Sequence, residues 1–241
     1  MTLECVVSSL TEARAVAQLG VCRIEVGAAP ELGGLTPSSG TLAEICTNRD
    51  PAKCAIAVLI RPRAGGFYYD ANEVAAMVYD IEHFATFGVE AVVFGALTPE
   101  GALDVEVVKR LTDVAKSSGL GTVFHRAIDV CTNPEWALEQ LGTLSMDCVL
   151  TSGAAPTCVD GLQTLVRWIS AYPDLKFVPA GGIRESNVLA IAHAIAVPFL
   201  HAGPRTVISG PATRLRDVDY GTHTVADIAA ISALMRTLQS T

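Results

Sequence analysis

Several ionisable side chains of this chain stand inside or just after short apolar runs. Glu4 lies between Leu3 and Cys5. Arg23 and Glu25 are separated by one residue, which puts both on the same face of an extended segment. Arg61-Pro62-Arg63 follows one apolar run, and His125-Arg126 follows another, with Asp129 just beyond. Ser152, the pair Gly181-Gly182 and His201 stand at the ends of three more. Three chemistries fit these types and spacings. Arg23, Arg61, Arg63 and Arg126, with Ser152 and His201, could bind a small anion, and Gly181-Gly182 would let backbone N–H groups approach it at the start of a helix. His125 beside Asp129 could move a proton, and Glu25 is a further acid/base candidate. Cys5, His125, His201 and Glu25 together offer thiolate, imidazole and carboxylate, a donor set that suits zinc or copper, although no H-x-H or H-x3-H pair supports a metal. The blander alternative is an internal network in which Glu4 and Glu25 neutralise Arg23 and Arg61, and Gly181-Gly182 is only a tight turn.

The elements that must position these groups follow from hydrophobic period. Short β-branched runs at 3–7, 22–26, 54–60, 91–95, 121–125, 147–151, 176–180 and 197–201 read as strands. Runs of helical period separate them. Ser9-x-x-Glu12 opens the first and Gly20 closes it; Asn72-Glu73, Asn133-Pro134, Thr157-x-x-Asp160 and Thr224-x-x-Asp227 open others. Alternation of strand and helix predicts an α/β fold, a (β/α)8 TIM barrel forming one domain over 1–241. The competitor is an open doubly wound sheet. It would be supported by a G-x-G-x-x-G turn after the first strand, where Val7 leads instead into Ser8-Ser9-Leu10. In a barrel the strand C-termini build the site, so charged residues gathered at the ends of five or more strands point to a ligand. Residues 27–38 and 203–222, the latter with Arg205, Arg214 and Arg216, read as long binding loops or lids.

Composition narrows the partners. Of the 241 residues 50% are hydrophobic and 17% charged, enough apolar material for a large core and too much for a disordered chain. The net charge of −8 gives no general attraction to nucleic acid or to an anionic membrane. No apolar run is long enough to span a bilayer, and the N-terminus does not read as a signal peptide. The seven cysteines are odd in number and contain no C-x-x-C pair, so they read as reduced thiols in a cytoplasm. The expected partner is a small anionic ligand or a metal ion; a homo-oligomer is left open.

Taken in order, the stretches Leu3-Glu4-Cys5, Arg23-Ile24-Glu25, Gly33-Gly34-Leu35-Thr36-Pro37-Ser38, Ile60-Arg61-Pro62-Arg63-Ala64-Gly65-Gly66-Phe67, Phe124-His125-Arg126-Ala127, Leu150-Thr151-Ser152-Gly153, Gly181-Gly182-Ile183 and Phe199-Leu200-His201 resemble the CutC family of copper homeostasis proteins. The resemblance implies a cytoplasmic TIM barrel with these segments around its C-terminal mouth, and copper as the bound ion. Family members often carry a cysteine where this chain has Gly27, so Cys5 is the thiol left near the expected site.

Overall fold

Each apolar run too short for a helix becomes a strand, and each run of helical period packs over the next pair of strands. The computed structural model describes residues 1–50, 53–209, 214–215, 218–219 and 221–240. The barrel strands are β1 (Thr2–Val7), β2 (Arg23–Val26), β3 (Ala55–Leu59), β4 (Ala91–Phe94), β5 (Gly121–Phe124), β6 (Cys148–Thr151), β7 (Lys176–Pro179) and β8 (Phe199–Ala202). Between and after them run α1 (Leu10–Gln18), α2 (Ser39–Thr47), α3 (Ala71–Ala85), α4 (Val105–Ser117), α5 (Pro134–Thr143), α6 (Leu162–Ala171), α7 (Glu185–Ala194) and α8 (Ile228–Gln239). The strands form one parallel sheet in the order β7-β6-β5-β4-β3-β2-β1-β8, curled until β7 and β8 are neighbours. This is the (β/α)8 barrel that the alternation predicts, and it excludes the open sheet.

The two faces of each strand do different work, because successive side chains alternate. Leu3, Cys5, Val7, Ile24, Val26, Ile56, Val58 and Phe94 belong to the layer between strands and helices. The lumen is apolar along β3 to β7, where Ala57, Leu59, Ala91, Val93, Val123, Cys148, Leu150, Val178 and Ala180 pack together. On β1, β2 and β8 the corresponding positions are Glu4, Arg23, Glu25 and His201. The barrel therefore encloses a half-polar interior, and the polar half sits at one seam.

Helix starts differ from expectation in detail. Ser9 caps α1 as expected, but Glu12 accepts the Ser8 N–H rather than that of Ser9. Asp70 caps α3 and forms a capping box with Glu73, leaving Asn72 inside the helix. Asn133 caps α5, with Pro134 at its first position. The Thr157–Asp160 pair closes a turn upstream of α6. Asp227, not Thr224, caps α8, because Thr224 pairs with Val207 in a strand.

Residues 203–222 are not an irregular loop. β9 (Arg205–Ser209) and β12 (Thr222–Ala226) form an antiparallel ribbon, and β10 (Arg214–Leu215) pairs with β11 (Val218–Asp219). The β-branched runs Thr206-Val207-Ile208 and Thr222–Val225 favour this pairing. Arg216 lies outside the described residues. Arg205 turns back to the barrel, where Glu12 accepts from its guanidinium at 3.0 Å and from Ala226 N–H at 3.1 Å. Glu12 is buried, so its loss leaves the part-buried Arg205 without its carboxylate and the buried Ala226 N–H without its acceptor. Glu12→Ala should cost about 3–5 kcal/mol in urea or guanidinium unfolding, whereas Glu82→Ala on the exposed face of α3 should change the midpoint little.

Candidate functional site

Glu4 is wholly buried inside the barrel. The parallel register of β1 sets Glu4 opposite both Arg23 on β2 and His201 on β8. The Arg23 Nε donates to one carboxylate oxygen, and His201 Nδ1 donates to the other at 2.7 Å. Burial opposes ionisation of Glu4, but the His201 hydrogen bond and the Arg23 charge hold its pKa below the ordinary value. Burial also opposes a charged His201, and the bond to Glu4 with the charge of Glu25 more than offsets it, raising that pKa. Arg23 in turn lies over the Phe199 ring at 4.7 Å.

Glu25 completes the group and is different from Glu4. It is 7% exposed, and its carboxyl makes no hydrogen bond to a described residue. Burial is the largest influence on it and raises its pKa to about 6, although the charges of His201 and Arg23 pull the other way. A carboxyl poised near neutrality and lacking a fixed partner is suited to exchange a proton with a bound molecule.

Glu25 and His201 line a cavity of about 290 Å³ at the C-terminal mouth. Arg126, Arg184, the Gly181-Gly182 turn, Gly33 and Gly34 line it as well. Asp129 holds Arg126 in place: it accepts Arg126 Nε at 2.7 Å, Ser152 N–H at 3.0 Å, Ser152 Oγ at 2.9 Å and Ala154 N–H at 3.1 Å. Arg126 Nη2 also donates to Ser152 Oγ at 2.8 Å. A side chain at Gly181 (φ +95°) would meet the Arg126 guanidinium at 3.2 Å, so only glycine lets the arginine lie this close to the β7 turn. A larger groove of about 580 Å³ lies between α1 and α2, floored by Ala13, Ile24, Ile45 and Ile56. Its buried ionisable lining group is the Cys54 thiol, whose pKa burial pushes up to about 11, so proton chemistry near neutrality belongs to the smaller cavity.

The candidate residues separate into two sets. Glu25, Arg126, Gly181, Gly182 and His201 share the cavity, with Arg23 behind them and Ser152 supporting Arg126. Arg61, Arg63, His125 and Cys5 do not line it. Arg61 clamps loops through the carbonyls of Leu32, Gly34 and Gly65. Arg63 pairs with Glu73 on the outside. His125 and Asp129 do not bond: His125 Nδ1 accepts from Ala127 N–H at 3.2 Å, while the Asp129 carboxylate is taken by Arg126, Ser152 and Ala154. Burial, helped by the Arg61 charge, drives the His125 pKa down to about 3. Cys5 faces the helices on the strand face opposite Glu4, and burial pushes its thiol pKa up. Arg184 was not among the sequence candidates; its signal was its place one residue beyond Gly181-Gly182-Ile183.

Glu4, Glu25 and His201 are the group of described residues whose ligand atoms, within 4.8 Å of one another, come nearest to a cation site. Both Glu4 oxygens are already engaged by Arg23 and His201. No thiol or thioether lines the cavity, and cuprous copper selects sulfur, so these residues do not fit that ion.

A sequence model of the CutC family matches residues 1–206. A family protein CutC of Xanthomonas campestris pv. campestris (strain 8004) is 34% identical over 245 residues, covering 100% of each chain. One from Porphyromonas gingivalis (strain ATCC 33277) is 38% identical over 206 residues, 85% of this chain and 81% of the other. Among solved structures, that of a candidate copper homeostasis protein CutC from Streptococcus agalactiae superposes with a TM-score of 0.77 at 26% identity, covering 83% of this chain and 98% of that one.

The pKa of Glu25 lies above its ordinary 4.5, so ionising it opposes folding. The stability this group lends is complete below about pH 4.5 and is lost as pH rises through about 6. Carbon-13 NMR should show one glutamate carboxyl titrating near pH 6 that disappears in Glu25→Gln. That variant should exceed the wild type in stability by about 2 kcal/mol at pH 8 and by almost nothing at pH 4.

Proposed function

The chain belongs to the CutC family, and within it we propose that this protein is an enzyme that moves a proton on a small carboxylated or phosphorylated metabolite held at the barrel mouth. The observation that carries the reading is Glu25, a buried carboxyl with no hydrogen-bond partner among the described residues and a pKa of about 6, lining a cavity that Arg126 and Arg184 also line.

Glu25 takes a proton from the bound metabolite and returns it at another atom or to the same one. His201 and Glu4 stay paired and keep the charge around Glu25 fixed while it changes protonation state. Arg126 and Arg184 hold the anionic group, and the Gly181-Gly182 turn, without side chains, lets it come close to the backbone. The free cysteines support work in a reducing compartment such as the cytoplasm. Among the described residues no helix is long and apolar enough to cross a membrane. The family's name implies copper, but the cavity's donors are carboxylates and an imidazole, and no step is assigned to that ion.

A panel of sugar phosphates and keto acids incubated with the protein in heavy water, read by mass spectrometry, tests the proposal. One class should gain deuterium or turn over. Glu25→Gln should slow that by about 100-fold or more with binding retained, and Arg126→Ala should weaken binding by about tenfold or more. Near-stoichiometric cuprous binding in an anaerobic competition titration, lost in Cys5→Ser, would replace this reading with a copper site.

A further inference from the structure

Among the described residues, six buried side-chain polar atoms lack a hydrogen-bond partner, and three of them belong to one patch: Arg61 Nε, Tyr69 Oη and His125 Nε2. The Arg61 guanidinium lies over the Phe67 ring at 5.2 Å, and the His125 ring packs against the same Phe67 at 4.7 Å. The Arg61 charge also acts on Tyr69. Arg61, Tyr69 and His125 are 6%, 5% and 6% exposed.

Arg61 stands out among the buried charges because it has no counter-ion. Its guanidinium donates to three carbonyl oxygens, those of Leu32 at 3.0 Å and of Gly34 and Gly65 at 2.8 Å, and pairs with no described carboxylate. Carbonyl dipoles spread a buried positive charge without cancelling it. His125 does not add to that charge, since burial and Arg61 together keep it neutral. The patch thus carries one full positive charge and unused donors on Arg61 and Tyr69, and among the described residues no carboxylate meets them.

The patch is close to the cavity. Gly34, whose carbonyl accepts from Arg61, also lines the cavity, as does Gly33. At Gly34 (φ +85°) an added Cβ would lie 2.7 Å from Leu59 Cδ2 in a backbone conformation that side chains disfavour, so a side chain there strains the closed turn. Ala28 and Leu35 exchange two backbone hydrogen bonds, of 2.8 and 2.7 Å, at the base of this loop. The six residues between them are thus anchored at that bridge and by the Arg61 bonds to the Leu32 and Gly34 carbonyls.

We propose that Arg61, flanked by Tyr69 and His125, is a second oxyanion subsite, reached from the cavity when the Gly33-Gly34 turn is displaced. The subsite would take a phosphate or carboxylate group, with Arg61 exchanging its bonds to the loop carbonyls for bonds to the anion. The proposal rests on the reading of the cavity as an anion site and extends it to the β3–β5 side of the mouth.

Phenylglyoxal labelling of the full chain, read arginine by arginine by mass spectrometry with and without inorganic phosphate, tests it. Arg61 should label despite its burial, and phosphate at ten times its Kd should slow that labelling about tenfold. Arg63, paired with Glu73 outside the cavity, should be unaffected. Gly34→Ala should speed labelling of Arg61, because a Cβ there strains the closed turn. If Arg61 stays unlabelled while Arg63 and Arg126 react, or labels at a rate indifferent to phosphate while Arg126 is protected, the subsite is overturned and the cavity reading survives. If phosphate at saturating concentration protects neither Arg61 nor Arg126, both fall.

Discussion

The burial of Glu4 is the constraint on which the site depends. A carboxylate wholly removed from water is tolerable only if opposite charge and hydrogen bonds meet it at fixed positions. Arg23 and His201 do so from the strands on either side of β1, and the parallel register brings both opposite Glu4. This fixes the seam where β2, β1 and β8 meet, and both Arg23 and His201 bond Glu4 rather than the Glu25 carboxyl. Glu25 is left with burial as its dominant influence. One satisfied buried acid thus creates the conditions for a second, unsatisfied one.

The distribution of polar groups around the barrel follows from this. The lumen along β3 to β7 is filled with alanine, valine, leucine and cysteine, which seal the interior below the mouth. The charged half faces a cavity completed by loops rather than by strands. Those loops are held by arginines acting on the backbone: Arg126 through Asp129 and Ser152 beside the β7 turn, and Arg61 through the carbonyls of two loops. Guanidinium groups suit this task because their several donors diverge in a fixed plane. The C-terminal ribbon is tied by the same device, with Arg205 and the Ala226 N–H both meeting Glu12.

Local chemistry was enough to place most elements. The eight strand runs, the Asn133-Pro134 helix start and the shared face of Arg23 and Glu25 follow from periods and caps that act within a few residues. The misplaced helix starts have two causes: Thr224 is claimed by a strand partner distant in the chain, whereas Thr157 caps a local turn with Asp160 that ends before α6 begins. The segment after β8 reads as a loop although its β-branched runs favour strands, because those runs are separated by more than ten residues, too far for a short hairpin turn to join them.

The amino-acid sequence alone determined the barrel, the family resemblance and the inventory of ionisable groups at its mouth, because hydrophobic period and short motifs are properties of neighbours. Tertiary structure decided how those groups divide. It put His125 and Asp129 with different partners, turned Cys5 toward the helices, sent Arg63 outside and joined Glu4, Arg23, Glu25 and His201 across three strands. These outcomes depend on strand register and on which face of each strand looks inward. Closing the sheet brings β8 beside β1, across nearly two hundred residues of chain, and no spacing within a single segment encodes that meeting.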